Sequence, residues 1–189
     1  KSQDGVERIQ VSVAIPMVPE HLRIRAEKYL KWIKKYSERH QMEVPLILAV
    51  IETESYFNPM AKSPVPAFGL MQLVPKYGGR EAYRYVFKKD KIPSSGYLYV
   101  PENNLRLGTA YLLVLKEDYL YGIKDPQKQE YLMIAAYNGG IGRVIQRVLK
   151  KHNVPEMSAT ELYEALRREM PNETKDYLAR AVSRKDKYM

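Results

Sequence analysis

Helical apolar stripes, each bounded by proline or glycine, constrain this chain more than any other feature of its sequence. In "EHLRIRAEKYLKWIKKYSERH" (20–40), Leu22, Ala26, Tyr29, Leu30, Ile33 and Tyr36 form one stripe with lysines opposite. The next apolar run, "PLILAVI", opens at Pro45, a favoured first-turn residue. Its helix stops by Asn58-Pro59, because a residue preceding proline avoids helical geometry. "FGLMQLVPKYGG" is a short apolar piece cut by Pro75 and ended by Gly78-Gly79, and the tyrosine-rich stretch 80–101 reads as irregular, with "KIPSSG" as a loop. A helix over about 102–121 ends at Gly122, a second runs from Asp125-Pro126 to Asn138-Gly139-Gly140, and a third covers about 141–151. Ser158-Ala159-Thr160-Glu161 is a capping box that opens another, and a last helix starts near Pro171-Asn172. One stretch departs from this period. "VERIQVSVAIPMVP" (6–19) alternates β-branched and polar residues, closes with two prolines, and reads as a strand that cannot form a sheet alone. The expected fold is mostly α: a helical domain over 20–189, preceded by an extended segment, 1–19, that is a linker or the remnant of a preceding domain.

Composition narrows the function classes. The 189 residues are 45% hydrophobic and 28% charged, which fits a globular chain with its own core. No apolar run reaches the roughly 18 to 20 residues that span a bilayer, and Lys1–Gln10 lacks the apolar core of a secretory signal. Without cysteine there is no disulfide, no thiolate chemistry and no lipid-attachment cysteine within these residues. His21, His40 and His152 lie far apart without ligand spacing, so neither a metal nor another cofactor is expected. Thirty-one Lys and Arg against 22 Asp and Glu give a formal charge of +9, suited to an anionic partner. No Gly-rich phosphate loop, zinc-finger spacing or RNP-type aromatic motif supports nucleic acid as that partner.

"ETESYFNP" (52–59) places two glutamates two positions apart at the end of the apolar run. Ile47, Val50, Ile51 and Glu54 share one helical face, whereas Glu52 lies about 200° around from Glu54. Glu54 therefore points toward the interior or a cleft, and Glu52 toward Leu48 and the other side. A carboxyl in an apolar wall has a raised pKa, the condition a general acid needs near neutral pH. A helix-end glutamate bonded to a neighbouring arginine or backbone group has the same spacing, so position alone does not make Glu54 catalytic.

Four ordered motifs add to that reading: E-S-x-F-N-P-x-A-x-S at Glu54–Ser63, G-L-M-Q at Gly69–Gln72, A-Y-N at Ala136–Asn138 and E-T-x-x-Y at Glu173–Tyr177. Together they resemble the lytic transglycosylases of the soluble-lytic, goose-lysozyme-like type. "VPEHLRIRAEKY", "AVIETESYFNP", "LGTAYL" and "AAYNGG" are most similar to the membrane-bound C-type branch of that family, over about 18–182. The resemblance implies a lysozyme-like helical domain that cleaves the MurNAc-β-1,4-GlcNAc bond of peptidoglycan without water, leaving 1,6-anhydro-MurNAc ends. It makes Glu54 the single acid/base. It places Ser63 and Gln72 near the acid or the N-acetyl group, Met71 among the substrate-binding residues, Tyr137 close to Glu54, and Asn138 on the local backbone or the sugar. Glu173 and Tyr177 would line the cleft toward the sugar or its peptide stem.

The resemblance also implies glycan strands and stem peptides as partners, a monomer, and a periplasmic protein tied to the outer membrane by a lipid anchor outside this sequence. The chain departs from the family between Ser63 and Gly69. Pro66 stands where glycine is frequent and Phe68 where a small residue is, so a stiffer, bulkier loop is expected there. A goose-type lysozyme that hydrolyses the same bond, and a wall-binding module without activity, remain open alternatives.

Overall fold

The computed structural model describes residues 20–189, and α-helices dominate them. In chain order they are α1 (Glu20–Glu27), α2 (Leu30–His40), α3 (Val44–Ser55), α4 (Arg80–Phe87) and α5 (Ser95–Tyr99). Then come α6 (Pro101–Val114), α7 (Pro126–Gly139), α8 (Ile141–Val144), α9 (Ala159–Glu169) and α10 (Asn172–Tyr188). Wider π-type turns extend α6 over Leu115–Tyr119 and α8 over Ile145–Leu149. The strand expected over 6–19 lies outside the described residues. Among the described residues the extended pairing consists of isolated antiparallel bridges, Lys62 with Phe68 and Phe68 with Leu73.

The start signals read from the sequence act as expected. Pro45 and Pro126 sit in the first turns of α3 and α7, and Pro101, which the sequence reading did not single out, does the same for α6. The Asp125 carboxylate caps α7 by accepting from the Lys128 N–H at 2.9 Å, and Ser158 and Glu161 form the capping box of α9. Two stretches differ from expectation. The stripe over 20–40 is two helices, because the Tyr29 N–H bonds back three residues to the Ala26 carbonyl at 2.9 Å and tightens the turn between them. The segment 80–101, expected to be irregular, carries α4 and α5, the latter capped by the Ser94 side chain.

Leu46, Ile47, Leu48, Ala49, Val50 and Ile51 are all buried, so α3 is covered on nearly every side. α10 packs most extensively against it and also against α7, while α2 bridges α3 to α6. At the α2–α6 seam the Tyr36 hydroxyl donates to Glu102 at 3.1 Å and accepts from Arg106 at 3.0 Å. Deeper in the seam, Thr109 donates to the Leu105 carbonyl at 2.6 Å, so its oxygen accepts from His40 Nδ1–H at 2.9 Å. This arrangement holds both ends of α3: α2 supports its start, and α10 runs past its C-terminal turn.

Candidate active site

Glu54 occupies the last turn of α3, where the helix stops on two consecutive non-glycine residues in left-handed backbone geometry, Tyr56 (φ 49°) and Phe57 (φ 62°). Burial of the Phe57 side chain and the bonds that follow hold this strained exit. Asn58 N–H reaches the Ser55 carbonyl at 3.0 Å, and Met60 N–H reaches Asn58 Oδ1 at 3.0 Å. Ser55 ties the helix end to the next motif, its hydroxyl donating to the Leu70 carbonyl at 2.8 Å.

The Gly69–Gln72 loop is built around a residue that no sequence pattern singled out. Asn104 of α6 is fully buried, accepts the Met71 N–H at 2.8 Å, and donates to the Phe68 and Leu98 carbonyls at 2.8 Å each. Gly69 has a φ of 78°, and a Cβ there would strike both the Asn104 amide and the Leu98 carbonyl. A glycine followed by a residue with φ 45°, Gln72, gives the loop its shape. Phe68, the bulky departure from the family, is buried edge-on to Tyr99 with ring centroids 5.5 Å apart. Its bulk therefore fills the core. The exposed part of the departure is Pro64, Val65 and Pro66, with the Val65 carbonyl accepting from the Ser63 hydroxyl.

Around Glu54 stand Tyr137 from α7 and Tyr177, Glu173 and Arg180 from α10. Burial pushes the Glu54 carboxyl up to about 8, and the Glu173 charge pushes the same way. The neighbouring Tyr177 hydroxyl and the Arg180 guanidinium act against this and do not offset it. Both tyrosines have pKa values well above the ordinary phenol, chiefly through burial and then through the nearness of Glu54, so they stay protonated. Tyr137 uses its proton on the Met71 carbonyl at 2.8 Å. The Tyr177 oxygen is buried beside Glu54 with no partner in hydrogen-bonding geometry.

The other expected residues divide by what their side chains already do. Gln72 spends both amide hydrogens, on the Ala61 carbonyl at 3.0 Å and the Gly69 carbonyl at 2.8 Å, leaving its oxygen free to accept an N–H. Asn138 accepts from the Thr174 hydroxyl at 2.9 Å and keeps its amide hydrogens as donors. Ser63 is turned toward its own loop, and Met71 is fully buried with its side chain against Gly108, in the core rather than an open cleft. Glu173 is exposed on the first turn of α10.

Glu52 is the more deeply covered of the two glutamates, 5% exposed, but its charge is paired. Arg184 Nε lies 2.9 Å from one of its oxygens, and the Tyr188 hydroxyl donates to the other at 2.7 Å. Both carboxyls meet α10, Glu54 through Tyr177 and Arg180 and Glu52 through Arg184 and Tyr188, so Glu52 is buried as well rather than turned away. Chemically, Glu54 is an acid ready to give up a proton near neutral pH, and Glu52 is a structural anion.

Among the described residues no three His, Asp or Glu side chains gather as a metal site requires, and no helix is long and apolar enough to cross a membrane. A separate hollow of about 360 Å³, lined by Glu81, Arg84, Tyr85, Lys88, Val114 and Asp118, is open, mixed in charge and formed by other elements than those around Glu54.

The chain matches the family described as "Transglycosylase SLT domain" over residues 31–158. It is 42% identical over 183 residues to the membrane-bound lytic murein transglycosylase C of Pectobacterium atrosepticum, covering 94% of this chain and 51% of that protein. The chain thus spans about half the length of the relatives it matches. The 70 kDa soluble lytic transglycosylase of Escherichia coli superposes with a TM-score of 0.68 at 27% identity, over 85% of this chain and 24% of that one. An inactive Glu-to-Gln mutant of the lytic transglycosylase Slt from Pseudomonas aeruginosa gives 0.66 at 27% identity, over 83% and 23%. The fold is lysozyme-like as expected, and with more than half its length matched, the chain belongs to the transglycosylase SLT domain family.

Proposed function

We propose that this domain is a peptidoglycan lytic transglycosylase that cleaves the MurNAc-β-1,4-GlcNAc bond and closes a 1,6-anhydro-MurNAc ring, with Glu54 as its single acid/base. The observation that carries this is one half-buried carboxyl raised to about 8, flanked by a second glutamate already paired with arginine. Protonated Glu54 gives its proton to the glycosidic oxygen as the C1–O4 bond breaks, and GlcNAc leaves as an alcohol. The resulting carboxylate takes the proton from the MurNAc C6 hydroxyl while O6 bonds to C1. Atoms balance without water, and the acid is regenerated. A hydroxyl attached to the reacting sugar replaces the second carboxylate that most glycosidases need, and proximity favours it.

In this reading Gln72 Oε1 accepts the N-acetyl N–H, the Asn138 amide donates to the sugar, and Tyr177 offers its unpartnered hydroxyl to the Glu54 carboxylate as it forms. The basic surface meets the carboxylate-bearing stem peptides. The names of the relatives, membrane-bound lytic murein transglycosylases, support the substrate and a periplasmic, membrane-attached setting, and the inactive Glu-to-Gln mutant of a structural neighbour supports a glutamate acid.

The test is digestion of purified sacculi by the wild type and by Glu54→Gln, read by liquid chromatography and mass spectrometry. Anhydro-muropeptides from the wild type alone are expected, with turnover by the variant at least about a thousandfold lower. Reducing MurNAc ends would make the domain a lysozyme instead, and undiminished turnover by Glu54→Gln would remove the acid assignment.

A further inference from the structure

Arg184 does more than neutralise Glu52. Its Nε pairs with the Glu52 carboxylate at 2.9 Å, its Nη2 donates to the Tyr56 hydroxyl at 2.8 Å, and its guanidinium lies over the Tyr56 ring at 5.0 Å. Glu52 and Tyr56 are themselves joined by the Tyr56 N–H to the Glu52 carbonyl at 3.2 Å, which closes the last turn of α3. Glu54 is the midpoint of that turn. Arg184 thus grips the acid's helix on both sides of the acid, and it does so at the strained exit, where Tyr56 has a φ of 49°. Along α10, Tyr177, Arg180 and Arg184 follow at three- and four-residue steps, so the groups facing Glu54 and the clamp share one helix face.

Resting on the reading of Glu54 as the acid, we propose that Arg184 is a positioning residue for it. By spanning Glu52 and Tyr56, it sets the register of the α3 terminus on α10 and so fixes where Glu54 sits against Tyr177. A fixed fork suits this task, since lysine offers a point charge that cannot hold two partners in set directions. The titratable and charged groups facing Glu54 are Glu173, Tyr177 and Arg180 from α10 and Tyr137 from α7, and none of them is altered by changing Arg184.

The test uses the whole chain on sacculi across pH 5–9, with melting temperatures alongside. Arg184→Ala alone strands a buried carboxylate and risks unfolding. The informative variant is therefore Glu52→Gln/Arg184→Met, which removes both charges and keeps volume and an acceptor for Tyr188. It is expected to melt within about 5 °C of the wild type, to lose about tenfold or more in kcat at similar KM, and to move its alkaline activity limb down by about one pH unit as water reaches Glu54. Arg184→Lys should fall between the two in kcat and in the position of the limb. A folded double variant with wild-type kcat and limb would overturn the proposal, leaving Arg184 a structural residue. Should the double variant fail to fold, the limb of Arg184→Lys decides in the same way. Turnover by Glu54→Gln would sink the acid itself, whereas a dead Glu54→Gln beside a wild-type-like double variant would sink only the clamp.

Discussion

Removing one exposed charge shows how Glu54 is tuned. Glu173 pushes the Glu54 carboxyl upward, so Glu173→Gln lowers the pH at which the acid loses its proton. The alkaline limb of the activity profile, expected near pH 8 in the wild type, should move to lower pH in that variant while the products stay the same. A loss of all turnover instead would assign Glu173 the role of a second catalytic carboxylate and favour hydrolysis. Tyr177→Phe separates position from chemistry. The ring keeps its packing but no longer offers a hydroxyl to the new carboxylate, so kcat should fall about tenfold with little change in melting temperature.

At the scale of elements, the Gly69–Gln72 loop, tied to the end of α3 through Ser55, depends on α6. Asn104→Ala would take the buried amide from the Met71 N–H and the Leu98 carbonyl, while the Phe68 carbonyl keeps the Leu73 N–H, and should destabilise the domain by about 2–4 kcal/mol. Urea denaturation measures this directly, and a loss below about 0.5 kcal/mol would mean that water replaces the amide. Asn104 also marks where the sequence stopped being legible. Helix starts could be read because Pro45, Pro126 and the Ser158–Glu161 box act on their own neighbours. The regularity of α3 put Glu54 in the apolar stripe but gave no sign that Glu52 is buried too, because its partners Arg184 and Tyr188 come from α10. Asn104 and Arg184 gave no local sign, since their partners are set by which helices pack together, with the Asn104–Met71 pair 33 positions apart. The helices α4 and α5 escaped notice for another reason: they are only 8 and 5 residues long, and each has one fully buried residue, Ala82 and Leu98. Tyr83 lies tilted against Phe87 with ring centroids 4.5 Å apart, and the half-buried Tyr85 lies under Lys88.

For the molecule as a whole, two groups shifted by desolvation pull stability in opposite directions with pH. His40 has a folded pKa of about 4, below its ordinary 6.5, so its neutral form stabilises the fold above pH 6.5 and that contribution is lost as pH falls toward 4. Glu54 is raised from 4.5 to about 8, so the fold binds a proton that the unfolded chain has released, and stability falls as pH rises across that interval. Between about pH 4.5 and 6.5 the two slopes offset each other. From 6.5 to 8 only the Glu54 slope remains, a loss of roughly 1–2 kcal/mol. Melting temperature should therefore decline over that range in the wild type and stay level in Glu54→Gln, which should be the more stable protein at pH 8. A parallel decline in both would remove Glu54 as its source.

The pairing of α3 with α10 also orders events in time. During synthesis the acid leaves the ribosome before the helix that encloses it, α10 with Tyr177, Arg180 and Arg184. Until α10 docks, Glu54 faces water and titrates as an ordinary carboxylate, without a proton to give at neutral pH. A chain cut ahead of α10 thus lacks the raised pKa of Glu54, and that shift arrives in one step as α10 docks.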